Sequence, residues 1–158
     1  MTANEIFEKL KNEFGDDIIE LCAEEPSEPF ISVNPQKIVD ICLYLRDENE
    51  FLFDYLSCLS GLDLGDNLAV VYHLKSMALG HRIAIKATVP KAEPVIPTVE
   101  KVWRSADWHE RETYDLIGIK FDGHHNLIRI LCPYDWEGHP LRKDYVTPQE
   151  YHGMKVPY

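Results

Sequence analysis

Ala69-Val70-Val71-Tyr72-His73-Leu74 sets large apolar side chains at 70, 72 and 74 against Ala69, Val71 and His73. A period of two puts each set on its own face of a strand. Phe51-Leu52-Phe53-Asp54-Tyr55-Leu56 has the same period before it. After Gly80, Ile83, Ile85, Ala87 and Val89 alternate with Arg82, Ala84, Lys86 and Thr88. Gly65-Asp66-Asn67 has the composition of a turn between the first two runs. Three strands joined by short turns predict an antiparallel meander.

Upstream the period is helical. Thr2 and Glu5 have capping-box spacing, ahead of an apolar face of Ile6, Phe7, Leu10 and Phe14, with Gly15 as the stop. Asp17–Glu24 and Ile31–Val33 are expected strands around a turn at Pro26–Pro29. Asn34 and Pro35 then open a second helix whose stripe is Ile38, Ile41, Cys42 and Leu45, spaced i, i+3, i+4, i+7. The prediction is a two-layer α+β core over residues 1–122. Its N-terminal helices pack on one face of a mixed, largely antiparallel sheet.

Downstream, Pro90–Pro97 is a proline-rich crossing. Thr98 is placed to cap a helix through Val99, Val102, Trp103 and Ala106, and a further short helix is expected over Asp107–Ile117, ending at Gly118. Residues 123–158 belong to the same structural unit as an extended docking segment. They hold Pro133, Pro140, Pro148 and Pro157 beside Tyr134, Trp136, Tyr145, Tyr151 and Tyr158. Prolines at that density leave little regular structure, yet so many aromatics need an apolar surface to lie on. Residues 132–158 are expected to be poorly ordered in the isolated chain and to become ordered on a partner subunit.

Length sets one domain as the expectation, since 158 residues fit a single core. No apolar run approaches the roughly 18 residues of a membrane helix, and Met1–Gly15 lacks a signal-peptide block. A cytoplasmic protein, reaching a membrane only through other subunits, is the expectation. The net charge of −11 is uneven, with 16 acidic and 4 basic residues in 1–70. An acidic half repels nucleic acid, while the balanced half, rich in Arg, Tyr and Trp, suits a protein partner. Cys22, Cys42, Cys58 and Cys132 form no C-x-x-C pair, which argues against an iron–sulfur or structural zinc site.

Candidate chemistry is sparse. His109-Glu110-Arg111-Glu112 starts like a zinc-protease helix, but Thr113 stands where the second histidine is required. A salt-bridge ladder of Asp107, Arg111 and Asp115, at four-residue steps, is the simpler expectation. His124-His125 follow Asp122-Gly123, and neighbours on extended backbone point to opposite sides, so a shared metal is not expected. His73, His81, His139 and His152 are scattered. No phosphate loop, dinucleotide fingerprint or nucleophile elbow occurs. A small metal-dependent hydrolase built from scattered His, Asp and Glu is the rival class. Asp135-Trp136-Glu137-Gly138-His139-Pro140-Leu141-Arg142-Lys143-Asp144-Tyr145 has the makeup of a docking segment. Arg142 could fork onto a carboxylate, and Trp136 and Tyr145 could anchor.

Glu110-Arg111-Glu112-Thr113-Tyr114-Asp115-Leu116-Ile117-Gly118-Ile119, followed by Phe121-Asp122-Gly123-His124, resembles the signature of the thirty-kilodalton subunit family of NADH:quinone oxidoreductase, respiratory complex I. Asn126-Leu127-Ile128-Arg129-Ile130-Leu131 and Gly138-His139-Pro140-Leu141-Arg142-Lys143-Asp144-Tyr145 continue it in order. The pattern departs at His125, where the family has proline, and at Ile128, where it has a paired arginine. The resemblance implies a structural subunit of the hydrophilic arm of a proton-pumping NADH:quinone oxidoreductase, a translocase, with no active site in this chain. It implies that FMN and iron–sulfur clusters belong to partner subunits, with no cofactor or metal here. The implied partners are the quinone-site and terminal-cluster subunits, at the cytoplasmic face of the cell membrane; relatives with another electron donor are the alternative. The implied interface residues are Glu110, Arg111, Glu112, Asp115, Gly118, His124, Arg129, Trp136, Gly138, Pro140, Leu141, Arg142, Lys143, Asp144 and Tyr145.

Overall fold

The computed structural model describes residues 1–23 and 28–156. The expected strand end at Glu24, the Pro26 side of the first turn, and Pro157 and Tyr158 lie outside the described residues. Helix α1 spans Ala3–Phe14, and its capping box forms: Thr2 Oγ1 accepts from the Glu5 N–H while Glu5 Oε2 accepts from the Thr2 N–H. Strands β1 (Ile18–Cys22) and β2 (Phe30–Val33) follow. A 3₁₀ turn over Pro35–Lys37, capped by Asn34, then leads into α2, Ile38–Asp47. The predicted stripe of Ile38, Ile41, Cys42 and Leu45 is completely buried.

Strands β3 (Tyr55–Asp63), β4 (Asn67–Lys75) and β5 (Arg82–Pro90) form the predicted meander. The sheet order is β1-β2-β5-β4-β3, with β2 and β5 parallel and the other neighbours antiparallel. Alternation places Leu68, Val70, Tyr72 and Leu74 of β4 beside Ile83, Ile85 and Val89 of β5 in one core with Ile6 and Leu10 of α1. Each such side chain stabilises the fold by about 1.5–3 kcal/mol on full burial. The opposite face carries His73, Lys75, Arg82 and Lys86, giving the α+β, two-layer arrangement. Among the described residues, no helix is long and apolar enough to cross a membrane.

Two local expectations are corrected. The strand expected from Phe51 starts only at Tyr55. Leu52 has φ +45°, and the carbonyls of Phe51 and Phe53 are taken by His81 Nε2 at 2.6 Å and by the donating Trp103 Nε1 at 3.0 Å. Side chains thus occupy the backbone groups a strand would pair. The helix expected after Thr98 is a single turn around Val99–Trp103. Thr98 caps that turn as expected, its Oγ1 accepting from the Glu100 N–H, while Thr98 O–H and the Val99 N–H donate to the Glu110 carboxylate. The apolar spacing still marks what goes inward, and Val99, Val102, Trp103 and Ala106 are buried. The crossing also hides a strand, β6 (Val95–Pro97), parallel to β7 (Lys120–Asp122).

Helix α3, Ala106–Ile117, lies against β3 at Gly61. A Cβ on Gly61 would sit 2.6 Å from Thr113 Cγ2 and 3.1 Å from Ile117 Cγ1, both on stiff β-branched side chains. Gly61→Ala should therefore cost about 1–3 kcal/mol in denaturant unfolding. Adding Thr113→Ser, which deletes the obstructing methyl, should recover a substantial part of it. A neutral Gly61→Ala would mean that α3 can back away freely.

Candidate functional site

Helix α3 is buried on two sides. Glu110, Thr113 and Ile117 face the sheet and the 98–103 link, while Asp115 faces the segment that follows β7. Asp115 is fully buried, and its carboxylate is saturated. Oδ2 accepts from the N–H groups of Ile130 at 3.1 Å, Leu131 at 2.8 Å and Cys132 at 2.8 Å, and Oδ1 pairs with Arg129 Nη1 at 2.6 Å. Burial alone would raise its pKa, but the Cys132 and Leu131 amides, Arg129 and the Ile130 amide together hold it below the usual carboxylate range. The predicted Asp107–Arg111–Asp115 ladder is therefore not formed. Arg111 instead lies over the Trp108 ring and donates to the Ile128 carbonyl.

The same end of α3 holds the docking segment. The Asp115 carbonyl accepts from His139 Nδ1–H, the Leu141 N–H donates to the Leu116 carbonyl, and Arg142 Nε donates to the Ile117 carbonyl at 2.6 Å. Arg142 Nη2 adds the Gly118 carbonyl at 3.3 Å. A guanidinium thus closes the carbonyl end of the helix, where the backbone dipole is negative. Gly118, at φ +81°, admits this packing, since a Cβ there would lie 2.5 Å from Arg142 Nη2 and 2.6 Å from His139 Nε2. Further along, the Lys143 N–H donates to Asp63 Oδ2 at 2.9 Å, and Lys91 Nζ bridges Asp63 and Asp144. The amide bonds that Asp63 accepts, from Lys143 and Gly65, are the chief reason its pKa falls to about 2.

Most of the expected interface residues thus work inside the chain. Glu110, Asp115 and Gly118 are buried and the His124 side chain is fully enclosed, so none of these lies on an open surface. Arg142 bonds to this chain's own carbonyls rather than standing free to fork onto a carboxylate. Arg129 joins Asp115 to the Gly138 carbonyl, and Trp136 Nε1 donates to the Tyr145 hydroxyl, whose ring packs on Gly138. Pro140 is half-buried, while Glu112, Leu141, Lys143 and Asp144 are exposed. In the segment after β7, large apolar side chains that stand open include Tyr134, 93% exposed, Val146, 84%, Leu131, 60%, and the expected Leu141, 60%. All four lie in the expected docking segment 123–158, but the sequence marks only Leu141 as an interface residue; it marks Tyr134 as one of the segment's aromatics, and Leu131 and Val146 by their place in the segment alone.

A second polar centre lies at the start of α3. Glu110 Oε1 and Oε2 accept from the Val99 N–H and the Thr98 hydroxyl, and burial drives its pKa up to about 7. The rings of His124 and His125 stack 5.2 Å apart at 12°, which overturns the expectation that they diverge. Gly123, at φ +81°, turns the chain so that both imidazoles approach Glu100.

Residues 31–151 match the family described as the respiratory-chain NADH dehydrogenase 30 kDa subunit. The chain belongs to that family. It is 44% identical over 155 residues to the C subunit of the NADH-quinone oxidoreductase of Chlorobium phaeobacteroides, covering 96% of this chain and 93% of that one. It is 46% identical over 152 residues to the corresponding protein of Chloroherpeton thalassium, covering 94% of this chain but 63% of that protein. A trypsin-resistant fragment (1–134) of Nqo5 superposes with a TM-score of 0.68 at 26% identity, over 80% of this chain and all of the fragment. A chain of the membrane-bound sulfane sulfur reductase, an archaeal respiratory membrane complex, shares the fold with a TM-score of 0.73 at 23% identity, over 90% and 85% of the two chains. In this member of the thirty-kilodalton family, the signature 110–145 builds the Asp115 centre and supplies Glu110 and His124 to the second, which Thr98, Val99 and Glu100 complete.

Because the folded pKa of Asp115 is depressed, its contribution to stability is present above the unfolded value near 3.9 and is lost as pH falls through the folded value. Asp115→Asn should cost about 3–5 kcal/mol at neutral pH, as when one partner leaves a buried ion pair, and should flatten the acid limb of the stability curve. Circular dichroism melts from pH 7 down to pH 2 measure both. Gly118→Ala should free the 139–142 stretch from α3, so that trypsin cuts at Arg142 and Lys143 well before the core is attacked. A digestion pattern unchanged from the native chain would refute that account of Gly118.

Proposed function

We propose that this chain is a structural subunit of the hydrophilic arm of a proton-pumping NADH:quinone oxidoreductase. It clamps the quinone-site and terminal-cluster subunits and carries no flavin, iron–sulfur cluster or quinone-reacting group of its own. The observation that carries this reading is that the segment after β7, tied by its backbone to α3 and Asp63, leaves the large apolar side chains Leu131, Tyr134, Leu141 and Val146 exposed. Large apolar groups on a polar-anchored frame are what a permanent interface needs, with about 1.5–3 kcal/mol available for each side chain buried. The frame has already met its ordering cost in part through internal hydrogen bonds, which favours tight association. The relatives, named as C subunits of NADH-quinone oxidoreductases, support the same complex.

Electron tunnelling and quinone reduction depend on accurate spacing of redox centres, so a rigid clamp contributes without reacting. In this reading the chain lies at the cytoplasmic face of the cell membrane and is held there by its partners. The hydrolase rival fits less well. Its best cluster, Glu100, Asp107, His124 and His125, exposes chiefly the His125 ring, while His124 is fully enclosed, which leaves a substrate little room beside it. The choice of electron donor belongs to the partners, since the fold also occurs in the sulfane sulfur reductase complex.

The test replaces Leu131, Tyr134 and Val146 together with serine in the producing cell. These side chains are exposed, so the isolated variant should keep its melting behaviour while the peripheral arm fails to assemble and NADH:quinone activity falls at least about tenfold, equivalent to about 1.4 kcal/mol. Normal incorporation and activity would remove this face from the interface. The purified native chain should also show no visible absorbance, and a flavin or cluster spectrum at one per chain would contradict the reading.

A further inference from the structure

We propose that Glu100, Asp107, His124 and His125 form a binding site for one divalent transition-metal ion of the zinc class, which clips three chain segments together. Glu100 comes from the link between β6 and α3, Asp107 from the first turn of α3, and the two histidines from the turn after β7. One ligand atom from each lies within 4.8 Å of every other. His124 Nε2 is 3.3 Å from Asp107 Oδ1 and 3.6 Å from Glu100 Oε2, and His125 Nδ1 is 2.6 Å from the same Glu100 oxygen. Tetrahedral zinc, with bonds of about 2.0–2.2 Å, sets its ligand atoms roughly 3.3–3.5 Å apart. The four atoms reach that arrangement by side-chain adjustments of about an ångström. Two imidazoles with two carboxylates suit zinc or cobalt better than magnesium or calcium, which prefer oxygen alone.

Two independent features point to a cation here. Asp107 Oδ1 is shielded from solvent and has no hydrogen-bond partner among the described residues, and it faces His124 Nε2. Next, Glu100 and Asp107 stand beside a third carboxylate, Glu110, 3.9 Å from His124 Nε2, and among the described residues none of the three pairs with a lysine or arginine. A concentration of negative charge with only imidazoles against it is relieved by a divalent ion. Access runs along the His125 side, where that ring is 63% exposed.

The tautomer of His124 adds a signature. Its Nδ1 accepts the Asn126 N–H at 3.0 Å, so without metal the ring proton sits on Nε2, from which it is donated to the Asp107 carbonyl at 3.3 Å, a bond the metal replaces. When a cation takes the Nε2 lone pair, that proton moves to Nδ1 and the ring stays neutral. The Asn126 N–H must then leave Nδ1, and it can turn to water because Asn126 is exposed.

The experiment titrates the metal-stripped full chain with Zn2+ by calorimetry and with Co2+ by visible spectroscopy. One ion should bind per chain, with ligand-field bands of four-coordinate Co2+, a raised thermal midpoint and a shifted Asn126 amide resonance. His125→Ala and Asp107→Asn, both at partly exposed positions, should each weaken binding by more than about tenfold. His152→Ala, whose imidazole pairs with Asp135 elsewhere, should leave it unchanged. Absence of saturable one-to-one binding to the native chain would overturn the proposal. So would equal affinity in His125→Ala and Asp107→Asn, or a loss of binding in His152→Ala.

Discussion

Asp115 sits in the third turn of α3 with its carboxylate out of solvent, and a buried charge of this kind persists only if its oxygens are filled. Three consecutive amides, Ile130 to Cys132, and the Arg129 guanidinium fill them. Those amides belong to a stretch without helix or ladder partners, so the same contacts satisfy backbone that would otherwise be orphaned. Segment and helix are each incomplete alone. The same contacts extend further along the chain, because Arg129 continues to the Gly138 carbonyl and Tyr145, bonded to Trp136, packs on Gly138.

A helix enclosed on both sides does not look enclosed in sequence. α3 contains Asp107, Glu110, Arg111, Glu112 and Asp115, a composition that fits a solvated helix with a ladder of ion pairs. Its polar residues are instead the means by which non-regular chain is held: Glu110 gathers the 98–99 link and Asp115 gathers 129–132. With the charged groups turned inward, apolar side chains such as Tyr134 and Val146 are left outward. Membership of the thirty-kilodalton family, matched over residues 31–151, agrees with a frame of this extent.

The two centres divide the work by charge. At the Asp115 end every carboxylate oxygen meets an amide or a guanidinium, so the negative charge is held in place. At the Glu110 end, among the described residues, three carboxylates share two imidazoles and no fixed cation. The first end keeps its charge at any pH above the carboxylate range. At the second, burial and the neighbouring Glu100 and Asp107 charges favour the protonated form of Glu110 against the bonds from Thr98 and Val99.

Local pattern determined a good deal of this protein. The capping box at Thr2 and Glu5, the Ile38–Leu45 stripe and the alternation through β4 and β5 depend on neighbours within one or two turns or one strand, and each formed where periodicity placed it. The burial of Val99, Val102 and Trp103 was legible too, although their helix was not, since helical spacing records which side chains go inward and not which backbone groups pair. Tertiary structure alone decided the rest. Phe51–Phe53 lost its strand to His81 and Trp103, residues roughly thirty and fifty positions away in sequence. His124 and His125 came to one side because Gly123 adopts a left-handed turn beside Glu100, and Arg142 turned inward because Gly118 left room at the end of α3. Each of these depends on where distant segments of the chain are brought together, and a charged side chain carries no mark in sequence of whether water or a buried carbonyl will meet it.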